Sequence, residues 1–576
     1  MLKKIPIGID DFSKIVDKDK NYLFVDKSLM IKELMDNGIE VSLIVRPRRW
    51  GKTLNMSMIQ HFFAPEVNGF STKGIFNNLK ISNESKGAYI EKYQGKHPVI
   101  YISFKDAKKS NFDDFLEKTK GLVQEICNQH YVLESSIKLS EEEKNIFRNL
   151  LRKKANHIEV CDSLKTLSVL LYKHYESKIF ILIDEYDSPL NAAYGQPYFD
   201  DLVNFLKGMF GAALKGNHAL EKGIMTGILR LSRNKMLSDI NNLTLYSLME
   251  KQYSEYFGFS EDEVKSLFKE SRVNNVDINE VKHWYNGYRS GNFETVYNPW
   301  SILNCIYNQG ELKPYWIKTG DEELLKKALL ESNESVREKL NILLTGEYIE
   351  SIVDEYLSFD QIKNGDDEVL WSLLWALGYL KTVGTSQLSG TRSKYRLTIP
   401  NHEVERSYED VFQTFVRSFN RTKYDSFLKN LVEGNVEKFS KDLAEFMLSV
   451  PSTYDLTHET NYHILLLAWV ISLKETHNIH SNKEMGLGRP DIVLVPRSTN
   501  DHLGIVIEFK RAEKSKDINV YKKLAIEGLQ QINEKKYDVD LMRVSHVKEV
   551  LKLCVVFYGK EFICESIREK KNDFLI

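Results

Sequence analysis

The sequence predicts an α/β protein, with a parallel sheet wrapped by helices first, a helical middle region next, and a smaller α/β domain last. Three observations carry this expectation. Apolar runs such as Val41–Val45 and Ile179–Ile183 alternate with helical patterns, as strands buried on both faces of a parallel sheet require. From about residue 255 to 400 the chain turns helical and aromatic. Near the C-terminal end, Asp491-Ile492-Val493-Leu494-Val495 and Ile505-Val506-Ile507-Glu508-Phe509-Lys510 read as the two strands of a hairpin.

At 576 residues the chain exceeds what one hydrophobic core can organise. The expected division is 1–255, 256–400 and 401–576. A content of 42% hydrophobic and 28% charged residues is ordinary for a soluble globular protein. With 79 basic against 81 acidic residues there is no global attraction to nucleic acid or membrane, although a local basic groove is not excluded. The five cysteines are scattered and form no CxxC pair, which argues against a disulfide framework or a zinc site. Acidic residues interrupt the N-terminal stretch, and no window approaches a membrane span. The expectation is a cytoplasmic protein that does not enter a membrane, with its oligomeric state open.

In the first part, Val41–Val45 leads into Arg46-Pro47-Arg48-Arg49-Trp50-Gly51-Lys52-Thr53 and then a helical pattern. Strand, loop, GKT and helix form the context of a P-loop. Backbone N–H groups and a helix N-terminus suit phosphate, Lys52 suits the β- and γ-phosphates, and the Thr53 hydroxyl suits Mg²⁺. Arg46 stands where the usual pattern has its first glycine. Four positive charges within seven residues suit a polyphosphate such as ATP, with solvated loop charge as the plain alternative for Arg48 and Arg49. The run to Asp184-Glu185 places two carboxylates at a strand end, where open α/β sheets bind ligands. Asp184 would hold Mg²⁺ and Glu185 would polarise the attacking water. Pro98–Phe104 and Gly223–Leu229 supply further strands. In the second, Thr226 could sense the γ-phosphate, and Arg230 or Arg233 could neutralise transition-state charge. A surface arginine at an ordinary strand end fits equally well there.

The middle region carries a turn at Tyr285-Asn286-Gly287-Tyr288 and a helix start at Asn298-Pro299. Trp371, Leu374, Leu377 and Leu380 lie at helical spacing and read as core. The polar stretch Thr385–Lys394 is the expected linker to the last domain.

In the C-terminal hairpin, side-chain alternation sends Glu508 and Lys510 to one face, with Asp491 opposite. Two neighbouring carboxylates suit a hard cation, Mg²⁺ or alternatively Mn²⁺, and a lysine suits an attacking water or developing phosphate charge. A surface Glu–Lys pair is the plain alternative. These residues resemble the PD-(D/E)XK nuclease signature. By that resemblance Glu459, on a preceding helix, joins the metal site, and Gln531 stands beside it. Glu484 and Arg489 are candidate supports.

The segments GIDDFSKI, YLFVDKSLMIKEL, RPRRWGKTL, LIDEYDSPL, TGILR, SEYFGFSEDEV, WYNGYRSGN and VYNPWSIL resemble the predicted AAA-ATPase-like family of prokaryotes. Its members carry RPRRFGKS in the same place, which makes Arg46 a family trait, and commonly end in a PD-(D/E)XK domain. The resemblance implies a P-loop NTPase domain and a C-terminal domain of the restriction-endonuclease type. The expected function is ATP binding and hydrolysis coupled to metal-dependent cleavage of nucleic acid, chiefly DNA, in defence against or upkeep of mobile DNA. The competing expectation is a nucleotide-operated switch or scaffold whose nuclease-like domain binds nucleic acid without cutting it.

Overall fold

A computed structural model describes residues 3–229, 237, 240–291, 293–316, 334–344, 346–355, 367–389, 392–408, 421–449, 470, 473–474, 476–481, 485–512, 518–558 and 561–571. The chain forms two compact units, one from residues 1–318 and 350–403, the other from 319–349 and 404–576.

The first unit is built on a parallel sheet of five strands among the described residues: β1 (Val41–Val45), β2 (Val99–Ser103), β3 (Ile179–Asp184), β4 (Leu220–Gly227) and β5 (Leu243–Tyr246). Their order across the sheet is β2-β3-β4-β1-β5. Every residue of β1 and β3 is buried, as the unbroken apolar runs require. The edge strand β5 is half-exposed and has no such run, so its sequence carries little strand signal. The register sets Val45 beside Gly227 and Ser103 beside Asp184, so the C-terminal tips of β1, β2, β3 and β4 form one ledge. Helix α1 (Lys52–Phe63) begins at Gly51, whose φ of 80° lets the loop turn sharply from β1 into the helix.

The same unit includes the helices α2 (Glu261–Ser271), α3 (Ile278–Tyr285) and α4 (Pro299–Tyr307). Asn298 caps α4 by accepting from the Trp300 N–H, and Pro299 occupies its first turn. Gly287 adopts φ 115°, and a Cβ there would lie 2.1 Å from the Pro400 carbonyl oxygen. Helix α5 (Asp367–Leu377) buries Trp371, Leu374 and Leu377, in line with the core reading of that apolar stripe. The expected linker Thr385–Lys394 is corrected. Residues Lys381–Ser389 and Arg392–Thr398 are antiparallel strands, β6 and β7, with a register shift between Val383 and Gln387. Polar composition could not distinguish a hydrophilic hairpin from a loop.

The second unit is a mixed sheet between helical layers. Its strands are β8 (His477–Ser481), β9 (Ile492–Pro496), β10 (Leu503–Arg511), β11 (Glu549–Tyr558) and β12 (Glu561–Lys570), ordered as in the chain. Among the described residues only β10 and β11 run parallel in this sheet. Ile505, Ile507 and Phe509 of β10 pack with Phe427, Leu431, Phe439 and Leu443, from the helices α6 (Arg421–Val432) and α7 (Val436–Ser449). Val506 lies in the opposite layer with Tyr521, Ala525, Leu529 and Ile532 of α8 (Ile518–Glu534). Alternation therefore turns Glu508 and Lys510 toward the α8 side.

Candidate functional site

In the first unit the ledge gathers the expected nucleotide-site residues. Asp184 is fully buried, accepts from Thr53 Oγ1 at 2.9 Å through Oδ2, and accepts from Thr226 Oγ1 through Oδ1. Tyr101, from β2, also donates to Oδ2 at 3.4 Å. Burial raises the Asp184 pKa, the nearby charge of Glu185 adds to that, and the two threonine hydroxyls and Lys52 oppose it. Lys52 is buried, and its Nζ donates to the carbonyls of Arg46 (2.9 Å) and Pro47 (2.8 Å). Burial lowers its pKa, while the carboxylates of Glu185, Asp187 and Asp184 favour its charge. Glu185 sits at the strand tip with φ 51° and accepts from Ser188 Oγ at 3.2 Å. A Thr hydroxyl paired to a carboxylate beside a buried lysine fits a divalent cation with a polyphosphate: Thr53 and Asp184 would hold the ion, and Lys52 the phosphates.

Arg46 is corrected as a phosphate-binding residue. Its side chain is 1% exposed, and Nη1 donates to Val45 O at 2.7 Å and Tyr246 O at 2.8 Å. The guanidinium also lies over Phe257, 5.1 Å from the ring centroid, and the Arg46 N–H is held by Gly227 O at 3.1 Å. Nη1 alone therefore joins the end of β1 to β5, and the buried side chain does not face a ligand. Counting charges in the loop could not show which way each one points.

With that first glycine absent, the loop is held from outside, residue by residue. Pro47 lies against Gly378, where a Cβ would stand 3.2 Å from the Pro47 Cβ. The Arg48 carbonyl accepts from Trp316 Nε1 at 3.3 Å. Arg49 lies over the Trp300 ring at 4.1 Å, and Trp50 meets Tyr288 edge-on at 5.2 Å. The residues after β4 are fixed as well: Asp187 Oδ2 accepts from the Ile228 and Leu229 N–H groups, at 2.9 and 3.0 Å. Arg230 and Arg233 lie outside the described residues.

In the second unit, Asp491, Glu508 and Lys510 meet as the alternation predicts. Asp491 directly precedes β9, and its Oδ2 accepts from the Phe509 N–H at 2.7 Å, which fixes the carboxylate beside the Glu508 end of β10. Burial pushes the Asp491 pKa up to about 6, opposed by that hydrogen bond and by the charge of Lys510. Lys510 Nζ donates to Glu508 Oε1 at 3.2 Å and to Gln531 Oε1 at 2.8 Å, while Gln531 Nε2 donates to Glu508 Oε1. Gln531 thereby holds acid and lysine from α8. The helix comes this close because Gly528 has no side chain: a Cβ there would lie 2.3 Å from Cys554 Sγ. Tyr537 completes the wall, with its hydroxyl 3.4 Å from Gln531 Nε2. Two oxygen-donor carboxylates with a lysine fit a hard divalent cation, and Asp491 and Glu508 would hold it. Among the described residues no group of three or more His, Cys, Asp and Glu side chains is placed to hold a metal. Glu459 and Glu484 lie outside the described residues.

Two family models match this chain. Residues 6–237 match the model described as predicted AAA-ATPase, and residues 457–566 match that of the PD-(D/E)XK nuclease superfamily. The chain carries both domains. An uncharacterized protein in the vnfD 5' region of Azotobacter chroococcum mcd 1 is 26% identical over 409 residues, which cover 71% of this chain and 69% of that protein. Within the AAA-ATPase domain, sequence reasoning missed Tyr101 and Asp187. The second was visible as the last acid of LIDEYD, whereas a tyrosine inside an apolar strand gave no signal. Within the PD-(D/E)XK domain, Tyr537 was missed because it joins the site only through the turn after α8. None of the described helices is long and apolar enough to cross a membrane.

Proposed function

We propose that this protein binds and hydrolyses ATP and that its C-terminal domain cleaves DNA phosphodiester bonds with a divalent metal, under control of the nucleotide. The observation that carries the reading is the joining of Asp491, Glu508, Lys510 and Gln531 on one face of the mixed sheet. A phosphodiester is anionic and resists attack by water, and a bound Mg²⁺ or Mn²⁺ would supply the charge that offsets this. Asp491 and Glu508 would hold the ion, and Lys510, kept in place by Gln531, would orient the nucleophilic water. In the ATPase domain, Thr53 and Asp184 would hold Mg²⁺, Lys52 the phosphates, and Glu185 the attacking water. Thr226, hydrogen-bonded to Asp184, is suited to report the state of that carboxylate.

The test is cleavage of linear, circular and single-stranded DNA with Mg²⁺ or Mn²⁺, with and without ATP. Wild-type protein is expected to cut, Lys510→Ala to be inactive, and Lys52→Ala to lose the ATP dependence. Folded protein that binds DNA and cuts under none of these conditions would overturn the reading in favour of a nucleotide-operated switch.

A further inference from the structure

Arg49 occupies an unusual position in the nucleotide loop. Its φ of 66° lies in the left-handed region that glycine adopts freely, so an arginine there carries local strain. The side chain is nevertheless placed with care. Its guanidinium lies over the Trp300 ring, 4.1 Å from the centroid. That ring is itself fixed: the Trp300 N–H donates to the Asn298 cap at 2.9 Å, and Nε1 donates to Tyr315 O at 3.1 Å. A guanidinium stacked on an indole keeps its N–H donors at the edge, free to point at an anion. Burial lowers the Arg49 pKa, and the carboxylate that acts against this is Glu185. Glu185 is also the leading carboxylate acting on Lys52. Two cations from the same loop, one on each side of Gly51, thus both feel the charge of the carboxylate at the tip of β3. Among the loop's other arginines, Arg46 is buried against the Val45 and Tyr246 carbonyls.

We propose that Arg49 supplies the transition-state arginine for ATP hydrolysis, acting in cis from the nucleotide loop, with Trp300 as its positioning residue. The inference rests on the ATPase reading above. In the step concerned, a water oxygen bonds to the γ-phosphorus while the bond to the β,γ-bridging oxygen breaks. ADP leaves with that electron pair, inorganic phosphate forms, and the water proton passes through Glu185 to solvent. Charge grows on the bridging and equatorial oxygens as the bond stretches, and a guanidinium edge beside them stabilises that charge.

The decisive variant is Arg49→Gly, because glycine removes the side chain and suits the backbone. Expected are a thermal midpoint at or above wild type, ATP and ADP affinities within about threefold, and turnover lower by about 10³-fold. Affinity for ADP with aluminium fluoride, a mimic of the transferring phosphoryl group, should fall far more than affinity for ATP. Arg49→Lys should not restore turnover, since an ammonium lacks the planar fork. Trp300→Leu should lower kcat with little change in KM. Unchanged turnover in Arg49→Gly overturns the proposal, as does an equal loss of affinity for ATP and for the aluminium fluoride complex. A lower thermal midpoint together with lost nucleotide binding also overturns it, in favour of a purely structural clasp. Wild type that resembles Lys52→Ala in both binding and turnover removes the ATPase reading itself, a result distinct from all of these.

Discussion

Replacing Glu403 by glutamine isolates the buried carboxylate that ties together the elements holding the nucleotide loop. Glu403 is fully enclosed; Oε1 accepts from the Trp316 N–H at 2.7 Å and Oε2 from Ser301 Oγ at 2.6 Å. Trp316 holds the Arg48 carbonyl, and Ser301 sits on α4 beside Trp300. Burial pushes the Glu403 pKa from 4.5 up to about 7, against the lowering effect of its donors. Tyr285, Tyr288, Tyr315 and Cys305 face the same carboxylate, and each is held up first by burial and in part by this charge. A folded-state pKa above the unfolded one means that the folded protein binds the proton more tightly. Its stabilising contribution is therefore complete below 4.5 and is lost as pH rises through 7. Integrated over that window, the charged carboxylate costs about 3 kcal/mol at pH 8 and about 1 kcal/mol at pH 5. Glutamine keeps an acceptor for Trp316 and offers a donor to Ser301, whose hydroxyl can accept. Urea unfolding should find Glu403→Gln more stable than wild type by about 3 kcal/mol at pH 8, narrowing to about 1 kcal/mol at pH 5. A difference that does not change with pH, or a variant less stable at pH 8, would refute the reasoning.

Restoring the usual glycine by Arg46→Gly should destabilise the first unit by about 2 kcal/mol or more, because the buried carbonyls of Val45 and Tyr246 lose their donor; an unchanged thermal midpoint would count against this. Gly528→Ala should destabilise the second unit, since the clash with the buried Cys554, at about 1–3 kcal/mol, exceeds the gain in helix propensity of about 1 kcal/mol. Cys554→Ala in the same chain should recover most of the loss, and a more stable single variant in urea would show that the helix gives way easily. Gln531→Leu should keep the fold by circular dichroism and lower DNA cleavage by about 10²-fold, because Lys510 and Glu508 each lose the amide that fixes them and keep only their direct contact; full cleavage would remove Gln531 from the site.

What the sequence made legible was the chemistry that lies along strands. An apolar run ending in Asp184-Glu185 carries its own burial and its own direction, and period-two alternation alone puts Glu508 and Lys510 on one face. What it hid depends on side chains reaching across the fold. Arg46, Arg48 and Arg49 are three like charges within four residues, yet one is buried against the strand-end carbonyls of Val45 and Tyr246 and another lies over Trp300, some 250 residues further along the chain. Tyr101 and Glu403 are polar groups in apolar company, and only the partners brought by the fold distinguish them from ordinary strand and helix residues. The same holds for Gly528, whose missing side chain sets how closely α8 approaches Lys510. The departure at position 46 is then intelligible in physical terms. A glycine there would give the loop freedom, whereas the arginine joins β1 to β5 and leaves the loop to be shaped by Gly378, Trp316, Trp300 and Tyr288. A loop shaped from outside can keep a side chain at Arg49 where a self-supporting loop would need glycine, and that side chain is the one held over the Trp300 ring.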